Sequence, residues 1–284
     1  MWLELSLVSA VLLGVRRIYE KQLTATFGNF SLSFLTLVFA LPPALALLLF
    51  FPIPEDIAHL PWRFWWPLLV IWLVLYPIQN YFLFRSLREG ELSAVLPISA
   101  LLPVFNLATS YAILGEGPSA LGIAGIASIA GGTYLLLFGG RVGAFTLNRP
   151  VLFMLISIAC TALGSTLDKV SVGVSTPVFY GFVNMLGASA VFLVLAAASG
   201  QAGELRRVGE AFWTLVALGV ILALAVAAFM AAFQEGPTSY VLALRSGGFF
   251  LPVVWGFIVL KESVTPRKAL ALALFSAGVA LLAL

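Results

Sequence analysis

The chain has 284 residues, of which 62% are hydrophobic and only 10% are charged. Soluble domains carry about 25% charged residues, so this composition excludes a water-soluble globular protein and predicts an integral membrane protein. The net charge of +3 does not indicate nucleic-acid binding, because the Lys and Arg residues are spread between apolar runs rather than gathered on one face.

Ten apolar segments predict ten transmembrane helices. A helix that crosses a hydrocarbon core about 30 Å thick needs about 20 mostly apolar residues. The segments that meet this length, separated by short loops, are 3–22, 31–51, 65–86, 92–114, 119–138, 150–171, 176–199, 211–234, 238–260 and 266–284. The first has its arginines after the apolar run, which is the wrong order for a cleaved signal peptide. Its charges leave one alternative, namely nine spans with an interfacial N-terminal helix.

Two segments half a chain apart match without a gap. Residues 87–116 align with residues 233–262 at a constant offset of 146, and the matches include glutamates at both ends of the span and a glycine at the first. The pattern predicts a duplication, with repeats over 1–140 and 149–284 that form a single membrane-embedded unit. Five helices per repeat is an odd number, so the second repeat enters the membrane from the opposite side. Inverted repeats of this kind are typical of secondary transporters.

The fourth and ninth spans end in "GE" (Gly115, Glu116) and "KE" (Lys261, Glu262). With the ten-span layout and the two five-helix halves, these endings resemble the EamA family of the drug/metabolite transporter superfamily. The resemblance covers the whole chain. It implies an all-α membrane fold, with a central cavity between the halves that moves small metabolites such as amino acids and amphipathic cations. The two endings mark helix ends in that family, so they are not carried over as a solute site.

We therefore expect a secondary transporter that moves an amino-acid-like or amphipathic organic solute by alternating access. It is expected to be a monomer in a prokaryotic inner membrane, with a small-molecule solute and the lipid bilayer as its partners and with no cofactor, metal or nucleic acid. Twelve of the fifteen Lys and Arg residues fall beside loops that follow odd-numbered spans. The positive-inside rule then places both termini outside the cytoplasm, whereas the family resemblance implies both termini inside.

Arg245 is a charged residue about eight residues inside the ninth span, or about 10 Å from the nearer end. A charge at the bilayer centre costs from about 3 to more than 10 kcal/mol, so such groups usually face a cavity or a partner. Arg245 is either a structural arginine that pairs with carbonyls or a carboxylate, or a cavity arginine that binds a solute carboxylate or phosphate. Its repeat equivalent is Ser99, and Ser246 and two glycines follow it directly.

Several other polar or aromatic residues lie within predicted spans. Tyr76 and Asn80 are four residues apart in the third span and share a helical face. Hydrogen bonding between helices is the alternative for the asparagines, including Asn184. The predicted solute-binding set is Arg245, Ser246, Tyr76, Asn80, Asn106, Tyr240 and Trp255.

Charged residues near the ends of the first and sixth spans are candidates for ion coupling or charge pairing. Arg16 and Glu20 are four residues apart and can pair along one helix face. Asp168 and Lys169 occupy a comparable place in the sixth span. Anchoring at the membrane interface is the alternative for all four residues.

Two further clusters are interpreted as structural. We expect an interfacial aromatic belt from Trp62, Trp65 and Trp66, and close helix packing at Gly122, Gly125 and Gly131.

The competing functions are an intramembrane enzyme and a non-transporting scaffold. The sequence holds one histidine, His59, in a polar loop, and one cysteine, Cys160, in an apolar run. A second histidine for a zinc site is missing, and the serines lack a plausible buried base. We therefore predict that the chain is not an enzyme, that it has no catalytic residue, and that its single cysteine forms no internal disulfide.

Overall fold

The computed structural model describes residues 1–23, 26–89, 98, 101–138, 148–245 and 265–283. Over these residues the chain is helical and has no strand. A π-helical turn, Ile71–Leu75, joins α3 to α4, and a 3₁₀ helix, Gln201–Ala211, leads into α9. The α-helices are α1 (Trp2–Leu23), α2 (Asn29–Leu47), α3 (Trp62–Val70), α4 (Tyr76–Glu89), α5 (Leu102–Leu114), α6 (Ala120–Phe138), α7 (Arg149–Val172), α8 (Pro177–Ala198), α9 (Phe212–Glu235), α10 (Thr238–Arg245) and α11 (Pro266–Ala283).

The observed helix ends lie close to the predicted span ends. The largest difference is in the second span, where α2 ends at Leu47 instead of residue 51. The fourth and ninth spans are described only over α5 and α10, and the rest of each lies outside the described residues. Within the described chain, the stretches that are long and apolar enough to cross a membrane are Asn29–Leu47, Trp62–Ser86, Arg149–Val172, Pro177–Ala198 and Gln201–Glu235.

Two glycines occur at helix breaks that the sequence predicted. Gly115 has φ 69° directly after α5, and Gly200 has φ 77° between α8 and the 3₁₀ helix. Glycine adopts positive φ without the steric cost that a Cβ would add. The chain can therefore reverse within a few residues at both positions.

The chain divides into two compact units, and each unit takes helices from both sequence halves. Unit 1 comprises Met1–Leu73 and Lys169–Glu235, and unit 2 comprises Val74–Asp168 and Gly236–Leu284. In unit 1, α1 packs along α9, and α2 packs against α8 and α9. In unit 2, α6 packs along α11, and α5 packs against α10.

Contacts between α4 and α7 complete the pairing within unit 2. The Ser86 hydroxyl donates to the carbonyl of Pro150 at 2.8 Å, and the rings of Phe82 and Phe153 lie 5.4 Å apart. Spans 3 and 6 are thus in contact in unit 2, and spans 1 and 8 pack against each other in unit 1. Under the predicted duplication, span 1 corresponds to span 6 and span 8 corresponds to span 3. The contact between spans 3 and 6 is therefore the repeat equivalent of the contact between spans 1 and 8.

Helix α1 runs antiparallel to α9 over its whole length. The amino group of Met1 lies 3.9 Å from the carboxylate of Glu235, at the end of α9. Midway, the Ser9 hydroxyl donates to the carbonyl of Ala225 at 2.9 Å, and at the far end Leu23 joins a buried cluster with Leu215. Helix α1 therefore lies along a helix that is long and apolar enough to cross a membrane.

Contacts between helix ends follow the alternation of the predicted spans. The Ser171 hydroxyl, near the end of span 6, donates to the carbonyl of Phe64 at the start of span 3 at 2.9 Å. The Gln234 side chain, at the end of span 8, donates to the carbonyl of Ser175 at 3.1 Å, in the loop after span 6. Each contact joins ends that a ten-span layout places on one side of the membrane.

Glycines allow close helix contact between α6 and α11. A Cβ at Gly125 would lie 3.0 Å from the carbonyl of Gly278, and a Cβ at Gly132 would lie 2.8 Å from that of Ala271. Packing at Gly125 was predicted, but the prediction for Gly131 is wrong, because no described atom lies within 4 Å of a Cβ placed there. Because successive residues of an α-helix differ by about 100° in direction, Gly132 faces α11 and Gly131 does not.

The N-terminus of α2 is capped by a distant segment. Its N-cap residue, Gly28, has no side chain to accept a hydrogen bond. The side-chain oxygen of Gln201 instead accepts from the backbone N–H of Phe30 at 3.0 Å and of Ser31 at 3.3 Å, and the Glu204 carboxylate accepts from Gly28 N–H at 2.6 Å. The 3₁₀ helix therefore satisfies backbone donors that would otherwise remain unpaired.

Replacing the capping glutamine is expected to destabilise unit 1. Gln201→Ala should lower the free energy of unfolding by about 1–2 kcal/mol, because it removes the acceptor for two backbone donors. Arg206→Ala, an exposed change in the same 3₁₀ helix, should change it by less than about 0.5 kcal/mol. Thermal unfolding in detergent measures the difference. Equal midpoints for the two variants would contradict a capping role.

Candidate functional site

The predicted solute-binding residues that the structure describes all lie in unit 2, although they come from both sequence halves. They are Tyr76, Asn80, Asn106, Tyr240 and Arg245. Ser246 and Trp255, the other two members of the set, lie outside the described residues. The described members are carried by α4, α5 and α10.

Asn106 is the most unusual of these residues. It lies on the buried face of α5 with Pro103 and Ser110, and its exposed fraction is 0%. Neither its Oδ1 nor its Nδ2 has a hydrogen-bond partner among the described residues. An unpaired buried polar group costs about 1–3 kcal/mol, so such groups are rare in folded proteins. The fold thus leaves a donor and an acceptor of Asn106 unused.

Hydroxyl groups next to Asn106 are already paired. The hydroxyls of Thr109 on α5 and Thr166 on α7 lie 2.8 Å apart. Thr109 Oγ1 also lies 3.4 Å from the carbonyl of Ala162, and the Ser110 hydroxyl donates to the carbonyl of Leu107 at 3.2 Å. The Thr109 contacts join α5 to α7, the Ser110 bond lies within α5, and none of them uses the side-chain amide of Asn106.

Asn106 and Arg245 lie at similar depths on neighbouring helices. The Glu116 carboxylate, just after α5, accepts a hydrogen bond from the N–H of Thr238, at the start of α10, at 2.8 Å. The two helix ends therefore meet at one edge of unit 2. Asn106 lies about 12 Å along its helix from Leu114, and Arg245 about 10 Å from Thr238, at 1.5 Å per residue. Arg245 is half-buried at the last described position of α10.

Tyr76 and Asn80 lie at the start of α4, directly after the π-helical turn. Both side chains are half-buried. The Asn80 Nδ2 donates to the carbonyl of Tyr76 at 2.8 Å. One of its donors is therefore used within the helix, and the predicted role of Asn80 in solute binding stays a prediction.

Tyr240 contacts the start of α6. Its hydroxyl accepts a hydrogen bond from the N–H of Ser119 at 3.2 Å and lies 3.4 Å from the hydroxyl of that residue. A Cβ at Gly122 would overlap the phenol ring, so this glycine allows α6 to pack closely against Tyr240 of α10, as the sequence predicted for Gly122. The contact places Tyr240 beside a helix end, and its role in binding a solute stays a prediction.

The predicted charge pair on α1 is present in unit 1. Arg16 Nη2 lies 2.5 Å from Glu20 Oε1, and the side chains are 25% and 27% exposed. The Nε of Arg16 is buried and has no hydrogen-bond partner among the described residues. Arg16 and Glu20 thus pair along one helix face, and a coupling role for Glu20 stays a prediction.

The other proposed charge pair lies where the chain passes between the two units. Asp168 is the last residue of the first segment of unit 2, and Lys169 begins the second segment of unit 1. Both side chains are half-buried, near the end of α7. Their coupling role stays a prediction.

The sequence analysis missed the partner of Asn184. In unit 1, Trp72 Nε1 donates to Asn184 Oδ1 at 2.9 Å, and the indole ring occupies space that a Cβ at Gly187 would fill. Trp72 lies in the π-helical turn. The sequence signal for this irregular turn is Pro77. A proline has no backbone N–H to donate to the carbonyl four residues earlier, and it often follows a break in regular helical hydrogen bonding. This bond supports the interhelical reading of Asn184.

The polar loop after α2 behaves as a solvated segment. The imidazole Nδ1 of His59 lies 2.9 Å from both carboxylate oxygens of Asp56, and its side chain is 82% exposed. Among the described residues, no group of three or more His, Cys, Asp and Glu side chains could hold a metal ion. Trp62, at the start of α3, is 67% exposed, in the manner of an interfacial aromatic residue.

Comparisons with known proteins identify the family. The model of the EamA-like transporter family matches residues 1–138 and again residues 148–284. No curated protein matches the chain. A solved structure described as "Crystal structure of protein" is 20% identical, with a TM-score of 0.78, and the match covers 99% of this chain and 95% of that one. At that identity the likeness shows the fold alone. The two family matches cover nearly the whole sequence, and the chain belongs to the EamA-like transporter family.

Proposed function

We propose that the protein moves a small organic solute across the membrane by alternating access, with its binding site in unit 2. The family is one of membrane transporters, which implies a small-molecule solute and a multi-pass membrane protein. The observation that carries the choice of site is Asn106, a fully buried amide whose donor and acceptor have no partner among the described residues. A solute that enters the unit would supply that partner.

The exchanged pairing of helices supports alternating access. Spans 1 and 8 pack together in unit 1, and their repeat equivalents, spans 6 and 3, are in contact in unit 2. When two inverted repeats pack in equivalent ways, each can adopt the conformation of the other. This exchange opens a site first to one side of the membrane and then to the other. The proposal includes ten spans, since the contacts between helix ends follow their alternation and α1 runs the length of α9.

The solute site is proposed to combine a charged group with neutral polar and aromatic groups. Arg245 offers a planar array of donors that suits a carboxylate or a phosphate. Asn106 offers one donor and one acceptor, while Tyr76, Asn80 and Tyr240 line further walls. Ser246 and Trp255 belong to the proposal from their place in the ninth span alone. An amino-acid-like or amphipathic solute would match this mixture.

The location and orientation remain part of the proposal. We place the protein in a prokaryotic inner membrane as a monomer. Both termini are placed outside the cytoplasm, because Lys and Arg concentrate beside the loops that follow odd-numbered spans. Reporter fusions at each end test the orientation. Activity of a cytoplasm-specific reporter at both ends would reverse it.

Counterflow in proteoliposomes tests the transport function. Vesicles preloaded with an unlabelled solute are expected to accumulate the labelled form transiently for at least one member of a panel of amino acids, sugars, nucleosides and quaternary amines. Protein-free vesicles serve as the control and should show no accumulation. A null result for every class would contradict the proposal and favour the scaffold alternative.

A further inference from the structure

We infer that Asn106 recognises a solute group that presents a donor and an acceptor side by side, such as a primary carboxamide. The inference rests on the proposed function and specifies the chemistry of its site. A side-chain amide has a carbonyl oxygen that accepts hydrogen bonds and an NH₂ group that donates two. In this structure the Oδ1 and the Nδ2 of Asn106 are both buried and have no partner in the described part of the chain.

The hydroxyl groups nearest to Asn106 along α5 form hydrogen bonds with other groups. Thr109 and Thr166 bond to each other at 2.8 Å, and Ser110 bonds to its own helix. The hydroxyls that follow Asn106 along α5 are therefore engaged in other hydrogen bonds. What remains is an acceptor oxygen and an NH₂ donor on the same planar amide group.

The unused pair of atoms limits which solute group would fit. A cation would satisfy only Oδ1, and an anion would satisfy only Nδ2, so either would leave the other atom buried and unpaired. A carboxamide satisfies both at once, because its own N–H and C=O lie side by side and can form two parallel hydrogen bonds with the amide of Asn106. A carboxylate of the same shape accepts twice and cannot donate.

The depth of Asn106 suits a solute site better than a surface contact. It lies about 12 Å from the end of α5 and at a level similar to that of Arg245 on the adjoining α10. A buried polar group in a membrane interior, where water is scarce, has a large cost unless it is paired. The Asn106 amide is therefore expected to form its hydrogen bonds with a solute that binds and is released.

The stability of variants separates this role from a structural one. Because the amide has no partner among the described residues, Asn106→Leu, which has similar volume, should leave the thermal midpoint unchanged or raise it. Asn106→Ala provides a second variant without the risk of overpacking. Ser110→Ala is the matched control, since Ser110 lies one turn away on the same buried face and uses its hydroxyl locally.

The experiment measures solute preference in the full chain. Counterflow and thermal stabilisation are measured with two matched pairs, L-glutamine against L-glutamate and nicotinamide against nicotinate. The wild type should favour the amide member by about tenfold or more in at least one pair. Both Asn106 variants should lose that preference while keeping their thermal midpoints, and the Ser110 variant should keep it.

The possible outcomes distinguish the inference from the transport proposal. If the wild type transports solutes but shows no preference for amides, the inference is overturned and the transport function stands. If both Asn106 variants lower the thermal midpoint by several degrees, Asn106 is structural and the inference fails. If neither these four compounds nor the wider panel moves through the wild type, both the inference and the proposed function fail.

Discussion

Arg245→Ala is expected to reduce transport by about 100-fold while the purified protein remains folded and monodisperse. The guanidinium lies within an apolar span, at a depth where a charge is retained only for a partner or a solute. Truncating one member of a buried charge pair costs about 2–5 kcal/mol, which corresponds to a loss of roughly 30-fold or more. Initial rates of counterflow, measured with the solute that the wild type accepts, give the size of the effect.

Two controls separate the role of Arg245 from a general effect of removing charge. Arg245→Lys keeps the charge but loses the planar array of donors, and it should recover only part of the rate. Arg85→Ala removes an exposed arginine of the same unit, which pairs with Glu89 at 3.1 Å, and should leave transport near the wild-type level. Aggregation or unfolding of Arg245→Ala would assign Arg245 to the structural role instead.

Gly219→Ala is expected to be the most destabilising single methyl addition in unit 1. A Cβ at Gly219 on α9 would lie 2.9 Å from the backbone nitrogen of Ala40 on α2 and would overlap the carbonyl group of Phe39. Backbone atoms cannot rotate away as a flexible side chain can, so the two helices would have to separate. Overpacking of this kind costs about 1–3 kcal/mol and sometimes more.

Gly131→Ala is the matched control for this effect. Gly131 also lies inside an apolar helix, but a Cβ there would meet no described atom within 4 Å. Replacing glycine by alanine in an open helical position stabilises by about 0.5–1 kcal/mol. The two variants should therefore shift the thermal midpoint in opposite directions. A shift in the same direction for both would contradict the close contact of α2 with α9.

The sequence was sufficient to place the helices and to suggest the duplication. Apolar length and the Gly and Pro breaks located most helix ends within a few residues, because both follow from local backbone chemistry and the thickness of the bilayer. The Arg16–Glu20 pair followed from helical spacing alone. Glu116 was correctly placed at a helix end, although its bond to Thr238 needs a contact across 122 positions of the chain.

Other features depend on packing that a single sequence does not encode locally. Asn106, Asn80 and Asn184 look alike as asparagines in apolar spans. Asn106 has no side-chain partner among the described residues, whereas Asn80 bonds to its own helix and Asn184 accepts from Trp72. Which of them is unpaired is decided by neighbouring helices. The error at Gly131 has the same origin, because one residue along a helix changes the facing side by about 100°.

Each unit combines helices from both halves of the sequence, and this affects how the chain folds during synthesis. Helix α1 is complete at Leu23, but α9, along which it packs, ends at Glu235. At about 5–20 residues per second, a ribosome would need roughly 10–40 s to make the intervening chain. During that time Ser9 lacks its acceptor on α9. The nascent N-terminal helix must therefore persist in the bilayer or be protected there, and a chain stopped after its first half would contain neither unit in complete form.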